Sequence, residues 1–351
     1  MSKIALINDT HMGARSDSDV FLKYFAKFFD DVFFPTLKAR GIKSIIHLGD
    51  LMDRRKYSNH KTIRYTREHL FRPIVDNDLT MHLILGNHDI YYKDDSWINS
   101  PSELFPDIPN LVTYTQPGDQ EIEGMKLAMV PWINRGNYDD TMSFLKKTDA
   151  RVLMGHLEIT GFDVLRGITC RSGQDKSEFN AFELVLLGHF HQKQQKGHIY
   201  YLGTQYQITF SDLDEPKGFH IFDTETLELE WIENPSCMFH KIKYNDSEND
   251  YKPQDMDFSE YENAYVKLIV EKKTSPYTFD RFVSSLYDVG VANLSIIEDT
   301  EFYSVDDGDI LDISQDTPTL INKEIDSMDD VEKPEVLKSL VHEIYLEALN
   351  Q

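Results

Sequence analysis

Two cysteines, Cys170 and Cys237, are all that 351 residues contain. That supply excludes a disulfide-built scaffold and a cysteine-held structural zinc. With no secretion signal, both thiols read as reduced, in a cytoplasm. The opening residues, Met1 to Asp9, reach a charged side chain too early for a signal peptide. No apolar run approaches the roughly 18–20 residues of a membrane span, so no membrane role is expected. Internal repeats and low-complexity tracts are missing as well. Positive charge is scarce: 36 Lys and Arg stand against 60 Asp and Glu, a net charge of −24. A chain-wide attraction to a polyanion is thereby excluded.

The deficit is uneven. Residues 245–351 hold 26 acids and 8 bases, whereas residues 1–244 hold 34 and 28. The first part is therefore close to balanced, and several of its acids are candidate metal ligands. With 40% hydrophobic residues the chain can bury a real core, and its length suits two domains.

Buried strands are expected at Lys3–Asn8, Ser44–Leu48 and Met81–Leu85, with helices over Val20–Arg40 and Lys61–Val75 between them. The first helix shows Phe21, Leu22, Phe25, Phe28, Phe29, Val32 and Phe33 at helical spacing. That face is wide enough for a core plus a partner, which hints at a homodimer, with one-sided core packing as the alternative. Strand-like segments follow near Leu111, Lys126, Arg151, Phe182, His198, Gly218 and Leu227. The pattern predicts an α/β fold of two sheets flanked by helices. Four segments are expected: a main domain over 1–236, a small α+β module over 237–298, an acidic linker over 299–316, and two helices over 317–351.

Metal-capable side chains recur where these strands end. Asp9-Thr10-His11 follows the first strand. Gly49-Asp50-Leu51-Met52-Asp53 follows the second, and Gly86-Asn87-His88-Asp89 the third. Gly155-His156 and Gly188-His189-Phe190-His191 come later. On extended chain, residues i and i+2 point the same way, so His189 and His191 face one place. Loops at strand C-termini are where α/β folds place ligands. Carboxylate, imidazole and amide oxygen together suit Mn²⁺, Fe²⁺ or Zn²⁺ rather than Ca²⁺. One carboxylate can bridge two cations through its two oxygens.

The series DxH, GDxxD, GNHD, GH and GHxH resembles the calcineurin-like metallophosphoesterases. The GHxxxxG form at Gly155–Gly161 and the layout of the later chain narrow this to the SbcD-type nucleases of double-strand-break repair. Length and ending are closest to the phage-encoded members. The resemblance is specific over residues 1–235 and rests on layout beyond them. It implies a four-layer αββα sandwich of two mixed sheets, with a capping domain and C-terminal helices. It also implies two divalent metal ions, most often Mn²⁺, with Mg²⁺ as a further candidate. Asp9, His11 and His191 would hold one, and Asn87, His156 and His189 the other, with Asp50 between them. His88 would face the phosphate as acid or transition-state stabiliser. Many members carry histidine where Asp53 stands here; an ionised Asp53 cannot donate a proton.

Between Arg54 and Glu68 stand six bases and one acid. Arg54, Arg55, Lys56, Lys61 and Arg64 are thus candidates for contact with DNA. Tyr91, Tyr92 and Lys93 are candidates for substrate contact, and Trp132 for packing. In the terminal helices Leu320, Ile321, Ile325, Val336, Leu337, Leu340, Val341 and Ile344 make apolar stripes. The resemblance implies that they dock on an SbcC-type, SMC-like ABC ATPase. Two rival readings stay open at this stage: a phosphatase or small-molecule phosphodiesterase, and a non-catalytic scaffold on the same fold.

Overall fold

Strands rich in aliphatic residues on both faces make the buried centre of a sheet. Three such strands open the first sheet, β1 (Lys3–Ile7), β2 (Ser44–His47) and β3 (Thr80–Ile84), and the partly exposed β4 (Leu111–Tyr114) lies at its edge. The protein is described here by a computed structural model, which covers residues 2–165, 168–171 and 173–298, with Ile325, Leu337, Lys338, Leu340 and Val341 beyond them. The chain next builds β5 (Gly118–Ile122), β6 (Met125–Val130) and β7 (Val152–His156). A short hairpin, β8 (Asp163–Leu165) and β9 (Ile168–Thr169), precedes β10 (Leu184–Gly188), β11 (Gln194–Lys196) and β12 (Ile199–Tyr201). Finally β13 (Gly218–Asp223) and β14 (Leu229–Glu233) return to the first sheet.

The two six-stranded sheets run β14-β13-β1-β2-β3-β4 and β11-β12-β10-β7-β6-β5. β1 to β4 are mutually parallel, as are β6, β7, β10 and β12, so both sheets are mixed through their antiparallel edges. Ile4, Leu6, Ile46 and Ile84 pack in one cluster with Leu127, Met129, Val152, Met154 and Leu186, so the sheets face each other. Alternate residues of the second sheet, Val130, Leu153, Val185 and Leu187, bury an outer face with Leu145, Phe162 and Phe179. The α/β class and the pair of sheets are as the sequence implied.

The expected helix over Val20–Arg40 is helical throughout but not one α-helix. It runs Asp19–Phe28, a π-turn at Phe29–Phe33, then Phe34–Arg40. A second π-turn, Arg67–Phe71, interrupts the helix that begins at His60 and ends at Asp76. Phe21, Leu22, Phe25, Phe28, Phe29 and Phe33 are all buried within the chain's own fold. Phe25 stacks on Tyr206 with ring centroids 4.0 Å apart. That aromatic face is consumed internally, which corrects its reading as a partner surface. Among the described residues no helix is long and apolar enough to cross a membrane.

Contacts divide the chain into two units: Met1–Tyr206 with Asp214–Ser236, and Gln207–Leu213 with Cys237–Gln351. Gln207 joins the second because its side-chain oxygen accepts from the Met238 and Phe239 amides at 2.8 and 3.0 Å. That unit holds a parallel sheet of β15 (Phe239–Asn245), β16 (Tyr265–Lys272) and β17 (Asn293–Glu298). The helix Pro276–Val289 lies between β16 and β17 in sequence, its start capped by Ser275. Tyr244, Leu268, Phe279, Phe282 and Leu286 form its core. Of the stripes expected at the chain end, Ile325 is helical and buried, while Leu337, Leu340 and Val341 are helical with Leu340 exposed. Leu320, Ile321, Val336 and Ile344 lie outside the described residues, as does the linker over 299–316.

Candidate metal centre

The parallel strands of both sheets bring their C-terminal ends to one place. The first sheet delivers Asp9, His11, Asp50, Asn87 and His88 just past β1, β2 and β3. The second delivers His156 as the last residue of β7, and His189 and His191 just past β10. Close approach makes some of the preceding glycines obligatory. A Cβ on Gly188 would lie 2.6 Å from the Leu48 carbonyl and 3.0 Å from Asp9 Oδ2. One on Gly86 would overlap the backbone and carboxylate of Asp50. Four of the candidate ligands also have left-handed backbone: Asp9 (φ 48°), His11 (40°), Asp50 (57°) and His189 (96°). Such conformations cost a side-chain-bearing residue about 1–3 kcal/mol each and persist where the surroundings impose them.

Two sets of atoms converge. His11 Nε2 and His191 Nε2 are 3.1 Å apart, and each lies within 4.0 Å of Asp9 Oδ1. His156 Nε2 and His189 Nδ1 are each 3.0 Å from Asn87 Oδ1. Asp50 Oδ2 belongs to both sets, 3.4 Å from His156 Nε2 and 3.8 Å from His11 Nε2. Its other oxygen accepts from the His88 amide at 2.7 Å. Of its two oxygens, Oδ2 is the one that lies near both sets. With bonds of about 2.1 Å, donor atoms around one cation stand roughly 3–4 Å apart, as these do. Asp9 Oδ1 is buried without a hydrogen-bond partner. A bare buried acceptor costs about 1–3 kcal/mol, which contact with a cation removes. The residues fit a pair of divalent metal ions.

Charge follows the same geometry. Burial alone would lower His11, but Asp53, Asp50 and Asp9 push it up to about 9. His11 Nδ1 is 3.5 Å from Asp53 Oδ1 yet makes no hydrogen bond, so Asp53 acts on it by charge. His156 is likewise pushed to about 9, against its burial, by Asp50 and Asp9. Burial would raise Asp50, but His156, His88 and His11 hold it well below the usual carboxylate range. His189 is driven well down by burial and by its imidazole neighbours. Burial also lowers His88. Its Nδ1 lies 2.6 Å from the Asp53 carbonyl, to which it donates, so Nε2 is left as its working nitrogen.

Several contributors lay beyond sequence reasoning. Asp89, last of the GNHD tetrad, accepts from the amides of Gly86, Asp50, Leu51 and Met52 at 2.8–3.3 Å and so ties two ligand loops together. Glu158 lies 3.8 Å from His189 Nε2 and accepts from the Cys170 thiol at 3.1 Å. Trp132 packs, as expected, and does so on the site: its ring is 4.9 Å from that of His189. Of the candidate DNA contacts, Arg54 pairs with Asp17, Lys61 with Asp19 and Arg64 with Glu68. Arg55 and Lys56 have no carboxylate in ion-pair range among the described residues. Lys56 stands 6.0 Å from the centroid of the Tyr91 ring, and Tyr92 is exposed.

Two facing mixed sheets that gather this ligand set at their strand ends define a metal-dependent phosphoester hydrolase. The chain belongs to the Calcineurin-like phosphoesterase family, whose model matches residues 2–193. It is similar to Exonuclease subunit 1 of Enterobacteria phage T4, with 29% identity over 99% of both chains. Shorter matches join it to the SbcD component of nuclease SbcCD from Staphylococcus saprophyticus, 22% identical over 50% of this chain and 44% of that one. The same component from Staphylococcus epidermidis is 24% identical over 53% and 56%.

Proposed function

We propose that this chain is a DNA nuclease that hydrolyses phosphodiester bonds at DNA ends with two divalent cations, Mn²⁺ foremost. The observation that carries the reading is an end-to-end similarity to a protein named an exonuclease subunit, in a chain where every ligand position is filled. Asp9, His11 and His191 would hold one ion and Asn87, His156 and His189 the other, with Asp50 Oδ2 shared. Bound there, the ions supply Lewis-acid activation of a water and neutralise charge on the phosphoryl oxygens. His88 works beside them. Its Nδ1 is committed to the Asp53 carbonyl, so Nε2 is the atom that exchanges a proton with the leaving oxygen. An anionic phosphate nearby draws the lowered pKa of His88 back up, toward a general acid. Asp53 contributes its carbonyl to His88 and its charge to His11. It is a positioning residue.

The partner proposal follows the similarity to the SbcD component of SbcCD. Residues 317–351 would clamp an SbcC-type ATPase, and the chain would act as a homodimer, through a surface other than the Phe21–Phe33 face. Incubating linear duplex, single-stranded DNA, a phosphopeptide and a chromogenic diester with Mn²⁺ tests the core reading. DNA should be cut, and EDTA should abolish cutting. His88→Ala should keep both ions by calorimetry and lose about 10²–10⁴-fold in turnover. Cleavage of the phosphopeptide alone would replace the nuclease reading with a phosphatase.

A further inference from the structure

Six cations stand between Arg54 and Arg67, and four of them are already matched: Arg54 to Asp17 at 3.1 Å, Lys61 to Asp19 at 2.7 Å, Arg64 to Glu68 at 2.9 Å and Arg67 to Asp107 at 2.6 Å. Arg55 differs. It is half-buried, its Nη1 is sealed from solvent, and that nitrogen has no hydrogen-bond partner. The countercharge acting on it is Asp50, the carboxylate at the heart of the metal centre. Arginine stays charged, so it cannot escape this position by losing a proton. An unpaired buried donor of a charged group is costly.

The neighbouring pair fixes the loop that presents it. Asp17 receives Arg54 and also the Thr62 hydroxyl at 2.6 Å. Asp17 closes a left-handed turn, Arg15–Ser16–Asp17, with φ of 56°, 59° and 59°. Arg54 is thus an anchor, and Arg55, the next residue, is left without a mate. In the metal-free chain Asp50 offsets the guanidinium. Two cations on Asp50 remove that offset and add repulsion. Positive charge then accumulates around a buried guanidinium nitrogen without a partner, on the residue two after Asp53, whose carbonyl receives His88 Nδ1 at 2.6 Å, and an anion bound there offsets it.

We propose that Arg55 is the phosphate clamp of this site, its guanidinium holding a non-bridging oxygen of the scissile phosphodiester. The proposal rests on reading the site as a phosphodiester hydrolase and sharpens it: within the basic run, Arg55 acts at the reacting phosphate, whereas its neighbours act on the fold or on flanking DNA. A planar fork suits phosphate oxygens, and a point charge does so less well.

The test uses the full chain loaded with Mn²⁺. Calorimetry gives the affinity for inorganic phosphate, and hydrolysis of bis(4-nitrophenyl) phosphate gives KM and kcat. Arg55→Ala should bind both ions normally, weaken phosphate about ten- to a hundredfold and raise the KM of the small diester similarly. Arg55→Lys should fall between wild type and Arg55→Ala, because it keeps the charge and loses the fork. Should Arg55→Ala not fold, Arg55→Lys and Arg55→Gln decide. Arg72→Ala, an exposed position paired with Asp76 at 3.6 Å, should change nothing. Unchanged phosphate affinity in Arg55→Ala overturns the clamp, as does loss of a metal ion. A wild-type chain that binds phosphate through Arg55 but cuts no DNA overturns the nuclease reading and leaves the clamp standing.

Discussion

His11 and His156 give the site its pH signature. Both are raised from an ordinary 6.5 to about 9 in the metal-free fold, chiefly because acidic neighbours outweigh burial. A group with a raised folded-state pKa stabilises fully below its unfolded value and loses that contribution as pH climbs through its folded value. The chelated protein should therefore lose thermal stability between pH 6.5 and 9. His47 and His220, both lowered to about 3 by burial, act in the opposite window and add no slope above 6.5. Ligation needs neutral imidazole, so metal binding releases protons and strengthens over the same range. Melting curves in EDTA and in Mn²⁺ should accordingly diverge as pH rises; a chelated protein whose Tm is flat or climbs from pH 6.5 to 9 contradicts these two assignments. The ligand candidates were legible because they follow strand ends. Which oxygen of Asp50 lies near both sets of donors, and which bases are already paired, was not, since Asp17, Asp19 and Asp107 meet those bases only through tertiary packing.

At the level of elements, glycine carries the clearest consequence. β2 and β3 end so close together that Gly86 has no room for a side chain beside Asp50. Gly86→Ala should displace the Asp50 loop, destabilise by about 1–3 kcal/mol and abolish Mn²⁺ binding. Urea unfolding and calorimetry check both halves, and full occupancy of two ions in this variant would refute the close-approach argument. Central strands were legible because they are long aliphatic runs. Gly118–Ile122, Asp163–Leu165 and Gln194–Lys196 were not: they are edge or hairpin strands whose polar sequences, such as GDQEI and QQK, carry no buried alternation. The short helices Ser100–Leu104 and Tyr138–Leu145 were missed for lack of length. The π-turns were invisible too, because one extra residue per turn barely disturbs a stripe made of five phenylalanines.

For the whole molecule, the acidic surplus falls mainly after residue 244, where 26 acids meet 8 bases, against 34 and 28 before it. Deleting residues 317–351 should leave Mn²⁺-dependent cleavage of short single-stranded DNA largely intact and abolish co-purification with the ATPase proposed as its partner. Pull-down against that ATPase and a gel assay read the two outcomes. A deletion that retains the partner assigns the contact elsewhere. A last consequence comes from the sharing of the centre between two sheets. Asp9 and His191 stand 182 positions apart, and their meeting requires both sheets to have docked. During synthesis a cation therefore finds no complete cradle until the ribosome has released the β10 loop. A copy interrupted before that loop is chemically silent, so hydrolytic power arrives only once both sheets have formed.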